Sequence, residues 1–308
     1  MQALTVELTS SRTSSVQTTQ SSRTAASLTS LRTAVRDKRL HPRHDGAMIV
    51  KIPAGPVPCI ARSRGFAISY EDAGQGTPVV LLPGFMQSAA DYRQAGYLDR
   101  LAATHRVLIV DPLGHGRSDK PHDAEAYRAP DVAADVIAVM DAAGLERAAL
   151  WGYSRGAWLA GMAAIEFPQR LSALILGGAG LTGPPETYMP PWVEALSRAD
   201  WAAFWSLFPI PLTPEIKLHF EDANDPKALA AGIRGRAESA YAFDLSRVSA
   251  PALVYCGGDD DPEDAVPTAQ ALNTELHVLE GCDHFGAYEE VDSVMPLAVA
   301  FLKTAASS

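Results

Sequence analysis

Residues 148–160 read AALWGYSRGAWLA, and this stretch decides the fold. The apolar run Ala148 to Trp151 predicts a buried strand, and the segment Ala157 to Phe167 predicts a helix. Between them, Gly152-Tyr153-Ser154-Arg155-Gly156 is typical of the sharp strand-to-helix turn called a nucleophile elbow. The two glycines indicate crowding, because a side chain at either position would strike the neighbouring strand or helix. At the head of the helix, backbone N–H groups and the helix dipole favour a developing negative charge.

Two later strand patterns end in polar residues that suit the same kind of site. Pro251 to Cys256 predicts a buried parallel strand, and the acids Asp259-Asp260-Asp261 follow it. Leu276 to Leu279 predicts another strand, and His284 follows that one. Because open parallel sheets assemble their sites at the carboxyl ends of strands, we expect these residues to meet Ser154. A serine needs a base such as His284 to take its proton, and a carboxylate to orient that base.

From about Phe66 to Leu302 the chain resembles α/β-hydrolase-fold enzymes of the serine esterase or lactonase type. Five stretches carry the resemblance, and they occur in the order that the family shows. They are VVLLPGF at 79–85, VLIVDPLGHGRSDKP at 107–121, WGYSRGAWLA at 151–160, PALVYCGGDDDP at 251–262 and GCDHFGAYEE at 281–290. Five motifs in order are far more specific than any one of them.

The resemblance implies an α/β fold with a mostly parallel central sheet, helices on both faces and a helical cap insertion. The alternation of short apolar strands with helical patterns independently predicts the parallel sheet. The core would comprise residues 48–180 and 249–308, and the cap residues 181–248, where no strand pattern appears. Within the core, Ile68 to Glu71 predicts an edge strand and Ala89 to Ala103 predicts one helix.

The resemblance also assigns catalytic roles to Ser154 as the nucleophile, His284 as the base and Asp260 as the acid. The spacing Gly257-x-x-Asp260 matches the family when it is counted from the strand. Counted from the Asp-Pro pair, Gly258-x-x-Asp261 matches as well, so Asp261 is an open alternative, with Asp259 as the third candidate.

The oxyanion hole needs two backbone donors. The resemblance places one at the N–H of Arg155 and the other at Phe85, with Met86 as the alternative to Phe85. The family commonly has His-Gly before this point, whereas this chain has Pro83-Gly84. Proline offers no N–H and no ring nitrogen, so the sequence leaves open how the loop is held. A glycine-rich loop of the kind expected in carbon–carbon bond hydrolases is also absent here.

The segment 181–248 is rich in aromatic side chains, which include Trp192 and Trp205. We expect most of them to pack the cap onto the core, and one or two to line an apolar acyl pocket. The predicted pocket residues are Met86, Trp192, Trp205 and Phe285.

We predict a serine hydrolase that cleaves a small apolar carboxylic ester or lactone through an acyl-enzyme intermediate. An acyltransferase, a cofactor-free perhydrolase and a non-catalytic small-ligand-binding protein stay open as alternatives. Haloalkane dehalogenases and epoxide hydrolases of this fold are disfavoured because they carry Asp at the elbow. No cofactor is implied and no metal site is predicted, because histidines such as His115 stand alone in the sequence.

The composition excludes several other classes of protein. A chain of 308 residues with 47% hydrophobic content is sufficient for one large domain, and a net charge of −10 gives no indication of a nucleic-acid partner. No uninterrupted apolar run approaches the ~20 residues of a membrane span. The 3 cysteines lack CxxC spacing, which argues against a disulfide framework or a zinc site.

Residues 1–47 differ from the rest because they are rich in Ser, Thr and Arg and poor in large apolar residues, which predicts disorder. The segment has some transit-peptide character but no apolar h-region. A translation start at Met48 is the alternative interpretation. We predict a cytoplasmic protein, and the sequence does not indicate its oligomeric state.

Overall fold

The computed structural model describes residues 57–183, 187, 189–207 and 212–306; the predicted N-terminal extension lies outside these ranges. The described strands are β1 (Cys59–Ser63), β2 (Phe66–Ala73), β3 (Thr77–Leu82), β4 (His105–Val110), β5 (Ala148–Tyr153), β6 (Leu171–Gly177), β7 (Ala252–Gly257) and β8 (Leu276–Leu279). They form one sheet in the order β1-β2-β4-β3-β5-β6-β7-β8. β2 pairs antiparallel with β1 and with β4, and every other pairing is parallel.

The connections between the parallel strands are helical, as right-handed crossovers require. The described helices are α1 (Ala89–Gln94), α2 (Tyr97–Leu101), α3 (Asp131–Ala142), α4 (Arg155–Glu166), α5 (Trp192–Ser197), α6 (Trp201–Leu207), α7 (Pro214–Ala223), α8 (Pro226–Ser239), α9 (Pro262–Ala271), α10 (His284–Glu289) and α11 (Val291–Ala305). Single 3₁₀ turns lie at Ala124–Tyr127, Pro168–Arg170 and Leu245–Arg247.

The sheet is buried on both faces, which explains why its central strands are apolar at every position rather than alternating. Val80 and Leu82 of β3 face a core that includes residues of α3, α4 and α9. Val79 and Leu81 face a second core that includes residues of α1, α2 and α11. The carboxyl ends of the parallel strands therefore lie at one edge between two layers of helices.

Helices α5 to α8 fall between β6 and β7 in the chain, and residues 181–248 are called the insertion below. A small apolar cluster holds it together, with Phe204, Leu196 and Leu229 buried side by side. Met86 of the core belongs to the same cluster, so the insertion packs on the loop that follows β3.

These elements confirm the predicted fold class of a mostly parallel sheet with helices on both faces, and the helices α5 to α8 occupy the predicted helical insertion. Two local predictions were wrong. The strand at Ile68–Glu71 is not at the edge, because the unpredicted strand β1 pairs along its outer side. The single helix expected over Ala89–Ala103 is broken at Gly96, whose φ of 89° lies in the left-handed region.

Among the described residues, no helix combines the length and the apolar character that crossing a membrane requires. The predicted cytoplasmic location rests on composition and stays a prediction.

Candidate active site

The turn between β5 and α4 holds Ser154 in a strained backbone conformation. Its φ of 53° and ψ of −118° lie where only glycine is comfortable. A Cβ atom on Gly156 would lie 1.8 Å from the Leu82 carbonyl oxygen. A Cβ atom on Gly152 would lie 2.1 Å from the Gly156 carbonyl oxygen. The glycines are therefore required for the close approach of the strand and helix, as the sequence predicted.

Ser154, His284 and Asp260 come together at the carboxyl edge of the sheet. His284 Nε2 lies 2.9 Å from Ser154 Oγ, and His284 Nδ1 lies 2.7 Å from Asp260 Oδ2. The histidine side chain is 34% exposed and the Asp260 side chain 18% exposed, so a substrate can reach the pair. Among the three candidate acids, the His284 hydrogen bond goes to Asp260. Asp261 occupies the N-cap position of α9, where its side chain makes no capping hydrogen bond.

Backbone contacts between two loops set the distance from Asp260 to His284. The Gly258 N–H donates to the Leu279 carbonyl and the Asp259 N–H donates to the Cys282 carbonyl, each at 2.9 Å. A Cβ atom on Gly257 would lie 2.3 Å from the Cys282 carbonyl oxygen, so glycine permits this approach. The loops after β7 and β8 are thus held against each other.

Tyr153 contacts His284 through both its hydroxyl and its ring, and the sequence did not predict this contact. Its hydroxyl donates to the His284 carbonyl at 2.5 Å, and its ring centroid lies 5.4 Å from that of His284. Burial raises the pKa of Tyr153 well above its usual range, so the hydroxyl keeps its proton as a donor. Tyr153 is at a position of the elbow motif where any residue is allowed, so the motif does not predict its contact with His284.

The loop after β3 forms a tight turn over residues 84–87. The Gln87 N–H donates to the Gly84 carbonyl at 3.3 Å, and Met86 has a φ of 67°. These features resemble a type II turn, in which the third residue has positive φ. The Gln87 side chain accepts from the Gly84 N–H at 3.0 Å. Gln87 therefore braces the turn that follows Pro83, which answers how the loop is held without a histidine.

The insertion holds the same loop through Asn224 and His219. The Asn224 side-chain amide, in a residue only 8% exposed, donates to the Met86 carbonyl at 2.9 Å. His219 Nε2 of α7 lies 2.8 Å from Asp91 Oδ1 in α1. The hydrogen bond that His219 donates to the Asp91 carboxylate raises the pKa of His219. Both contacts link the insertion to the segment directly after β3.

Two N–H groups of the turn are left for a ligand. Within the described residues, Gly84 and Gln87 donate to partners inside the turn, whereas Phe85 and Met86 donate to none. Arg155 is the first residue of α4, where N–H groups have no acceptor inside the helix. Gly156 lies against the carbonyls of Leu82 and Pro83, so the head of α4 adjoins this turn.

The predicted pocket residues occupy different surroundings. Trp192 packs on the Phe85 ring at a centroid distance of 5.5 Å, and Met86 is 6% exposed beneath the insertion. Phe285, 39% exposed, stands edge-on to the His284 ring. The described contacts of Trp205 all lie within the insertion, and its indole N–H donates to Glu221.

The Arg155 side chain is buried beside the elbow and is 9% exposed. Its Nη1 atom is fully covered and has no hydrogen-bond partner. Burial, together with the positive charge of Arg236, lowers the pKa of Arg155 to about 10. His115 lies close by, with Nδ1 3.3 Å from the Leu113 carbonyl. Burial, reinforced by the Arg155 charge, lowers the pKa of His115 well below its usual range, so this histidine is neutral.

Residues 77–214 match the family described as alpha/beta hydrolase fold. The chain is 31% identical over 281 residues to the non-heme chloroperoxidase of Streptomyces lividans, a match that covers 80% of this chain and 99% of that protein. It is 28% identical over 265 residues to the 2-hydroxy-6-oxononadienedioate/2-hydroxy-6-oxononatrienedioate hydrolase of Paraburkholderia xenovorans (strain LB400), covering 76% of this chain and 90% of the relative.

Solved structures of similar fold also include enzymes of this kind. Est816, described as an N-acyl homoserine lactone degrading enzyme, matches with a TM-score of 0.63 and 28% identity over 79% of this chain and all of that one. The enol-lactonase from Burkholderia xenovorans LB400 matches with a TM-score of 0.68 over 80% of this chain, and its 20% identity shows the fold alone. The chain belongs to the α/β-hydrolase-fold family. The predicted class of enzyme, a hydrolase, is confirmed at this level.

Proposed function

We propose that the protein hydrolyses a small carboxylic ester or lactone, with Ser154, His284 and Asp260 as its catalytic triad. The observation that carries the proposal is the continuous pair of hydrogen bonds from Ser154 Oγ through the His284 ring to Asp260, at 2.9 and 2.7 Å. A serine at a strained elbow, a histidine within hydrogen-bond reach and an acid on the far ring nitrogen are the three parts of serine acyl transfer.

In this mechanism His284 Nε2 takes the hydroxyl proton as Ser154 Oγ attacks the acyl carbonyl. Asp260 stabilises the imidazolium and keeps its Nδ1 proton in place. The imidazolium then protonates the departing alcohol, which leaves an acyl group on Ser154. Water enters, gives its proton to His284 and attacks the acyl carbon, and collapse releases the acid and restores Ser154.

The negative charge on the carbonyl oxygen would be stabilised by the Arg155 N–H and by one N–H of the turn after β3. Phe85 is the proposed donor, with Met86 as the alternative, since both N–H groups are without a partner in the described residues. Hydrogen-bond donors fixed before the reaction stabilise the transition state without reorganising during it. Gln87 and Asn224 supply that fixed geometry.

An apolar acyl pocket is proposed beside Ser154, with Phe85 and Trp192 in ring contact as one wall and Phe285 near its edge. The 28% identity to a protein described as degrading N-acyl homoserine lactones supports a lactone among the substrates to be tested. No nucleic-acid partner is proposed.

The test is hydrolysis of p-nitrophenyl esters of rising acyl length and of N-acyl homoserine lactones. Ser154→Ala and His284→Ala should lose activity by more than about 10³-fold with KM little changed, because they remove the reacting groups. Asp260→Asn should also lose activity strongly, whereas Asp261→Asn, its neighbour and matched control, should not. Full activity in Ser154→Ala would refute the proposal.

A second candidate is transfer of the acyl group to hydrogen peroxide, favoured by the identity to a non-heme chloroperoxidase. It uses the same acyl-enzyme, with peroxide in place of water as the second nucleophile. Peroxy acid formed from an ester in competition with hydrolysis, and lost in Ser154→Ala, would support it. The absence of fluorophosphonate labelling in folded protein would instead favour a small-ligand-binding protein.

A third candidate is hydrolysis of a carbon–carbon bond, favoured by the relatives that are named as hydrolases of 2-hydroxy-6-oxo diacids. These compounds contain no ester, so water must add across a carbon–carbon bond. The missing glycine-rich loop argues against this reaction in the present chain. Turnover of such a diacid faster than any ester would make it the main activity.

A further inference from the structure

We propose that Arg155 binds a carboxylate on the acyl part of the substrate, so that the preferred substrate is a short half-ester or a lactone that carries an acid group. The inference rests on the proposed function, because it names the kind of substrate that the same site takes. It assigns the Arg155 side chain a role separate from that of its backbone N–H.

The first observation is a buried cation without a counter-ion. Arg155 is 9% exposed, and within the described residues its guanidinium makes no hydrogen bond or ion pair. Arginine cannot lose its proton at neutral pH, so the positive charge stays in this position. Buried charges in proteins are normally paired. Because Arg155 has no such partner in the described part of the chain and is adjacent to Ser154, we infer that a ligand supplies the counter-charge.

Two buried acids of the core, Asp135 and Asp111, already have other partners. Asp135 lines the same small cavity as Arg155, but its two oxygens receive hydrogen bonds from Arg64 at 3.0 and 2.6 Å. Asp111 accepts from the backbone N–H groups of Ala89 and Arg117 at 2.7 and 3.0 Å. Neither acid neutralises Arg155.

The second observation is the position of the guanidinium between the core and the insertion. The point where a Cβ atom of Gly232 would stand lies 3.8 Å from Arg155 Nη2, so α8 covers the arginine from the insertion side. Tyr127 lies on the same side, 3.6 Å from that point. A side chain at Gly232 would fill the space beside the guanidinium.

His115 connects this position to the proposed oxyanion turn. Its ring stands edge-on to the Phe85 ring at 6.1 Å, and the Arg155 charge acts on it. Because His115 is neutral, it brings no second charge to the site. Its Nε2 atom is buried without a partner, so a polar group on the substrate has a second contact available.

A carboxylate is the ligand that fits these groups best. The planar guanidinium offers parallel N–H donors that match the two oxygens of a carboxylate. Because the N–H of the same residue would hold the oxyanion, the carboxylate must lie within one arginine side chain of the reacting carbonyl. This distance favours short dicarboxylic half-esters such as those of succinate, glutarate and adipate.

The experiment compares p-nitrophenyl half-esters of these diacids with uncharged p-nitrophenyl alkanoates of the same chain length. The wild-type protein should prefer the charged member of each pair at the best length. Arg155→Met should lower the charged-to-neutral ratio of kcat/KM by about 10²-fold, the size expected for losing a charged hydrogen bond. Arg155→Gln is the second variant, for use if the first does not fold.

Arg234→Met is the matched control, since Arg234 lies on α8, is partly exposed and contacts Glu194. It removes a cation from the helix that covers Arg155 and should leave the charged-to-neutral ratio of kcat/KM unchanged. Turnover of neutral esters with no preference for the charged ones, or a preference that survives in Arg155→Met, would overturn the inference.

If no ester is hydrolysed, the proposed function fails and binding decides the inference separately. Adipate should then raise the melting temperature of the wild-type protein and not that of Arg155→Met. Equal shifts in both proteins, or no shift in either, would overturn it.

Discussion

Arg155→Met should make the unliganded protein more stable, which is unusual for a change beside a candidate nucleophile. Methionine has a similar length and carries no charge, so it can fill the buried site without a counter-ion. The prediction depends only on the absence of a partner for the Arg155 guanidinium.

The size of the effect follows from the pKa of Arg155, which burial and the Arg236 charge lower from the usual value of arginine to about 10. Each pKa unit corresponds to 1.36 kcal/mol, so the charged form loses at most about 3 kcal/mol on folding. Because the folded-state pKa is the lower one, this penalty is fully present below pH about 10 and disappears only as the pH rises above that value. We expect a gain of about 1–3 kcal/mol, within the range for replacing buried charges by apolar side chains.

The assay is urea unfolding at neutral pH, with Arg93→Met as the matched control. Arg93 is equally buried, with its side chain 7% exposed, but it forms an ion pair with Glu71, which is 3% exposed. Removing Arg93 leaves the Glu71 carboxylate buried and unpaired, and should cost about 3–5 kcal/mol. The two arginine-to-methionine changes should therefore shift the unfolding midpoint in opposite directions. An Arg155→Met protein that is less stable than the wild type would refute the reasoning.

Three further predictions follow from the contacts around the elbow and the turn. Asn224→Ala should lower kcat about tenfold or more with KM little changed, because the turn after β3 loses the hydrogen bond that holds it. A trifluoromethyl ketone, which imitates the tetrahedral intermediate, should bind this variant correspondingly less tightly than it binds the wild-type protein. Gly156→Ala should lose more than about 4 kcal/mol in urea unfolding, because the new Cβ would stand 1.8 Å from a carbonyl oxygen, whereas Gly232→Ala, with its nearest atom at 3.6 Å, should be tolerated. Because folding raises the pKa of His219, its ion pair with Asp91 stabilises the fold fully below pH 6.5, and this stabilisation disappears as the pH rises through the raised value. His219→Gln should therefore lower the free energy of unfolding more at about pH 5.5 than at about pH 9.

The sequence was informative wherever function requires a local pattern. The elbow, the strands on either side of it and the positions of Asp260 and His284 follow from short motifs at strand ends. The choice among three consecutive acids depends on loop geometry: the backbone bonds from Gly258 and Asp259 to the following loop direct Asp260 toward the histidine. Motif spacing favoured this residue but did not exclude Asp261.

Contacts between distant segments could not be predicted in this way. Asn224 lies 138 residues from Met86 along the chain, and no pattern in either segment indicates the hydrogen bond between them. Gln87 replaces a ring nitrogen with a side-chain amide, which the sequence shows only as a polar residue near a turn. The strand β1 was missed because it has only 5 residues, is partly exposed and ends in the polar residues Arg62 and Ser63.

Arg155 joins two parts of the proposed site in one residue. Its N–H would stabilise the oxyanion, and its side chain would bind the charged end of the substrate. A substrate with a carboxylate would therefore hold Arg155 in place while the Arg155 N–H acts on the substrate carbonyl. Without a substrate the same residue is a buried cation that lowers stability, and a carboxylate ligand removes that penalty. Functional sites commonly carry such a loss of stability. Greater stability and weaker preference for charged esters should therefore appear together in Arg155→Met, since both follow from the same missing counter-ion.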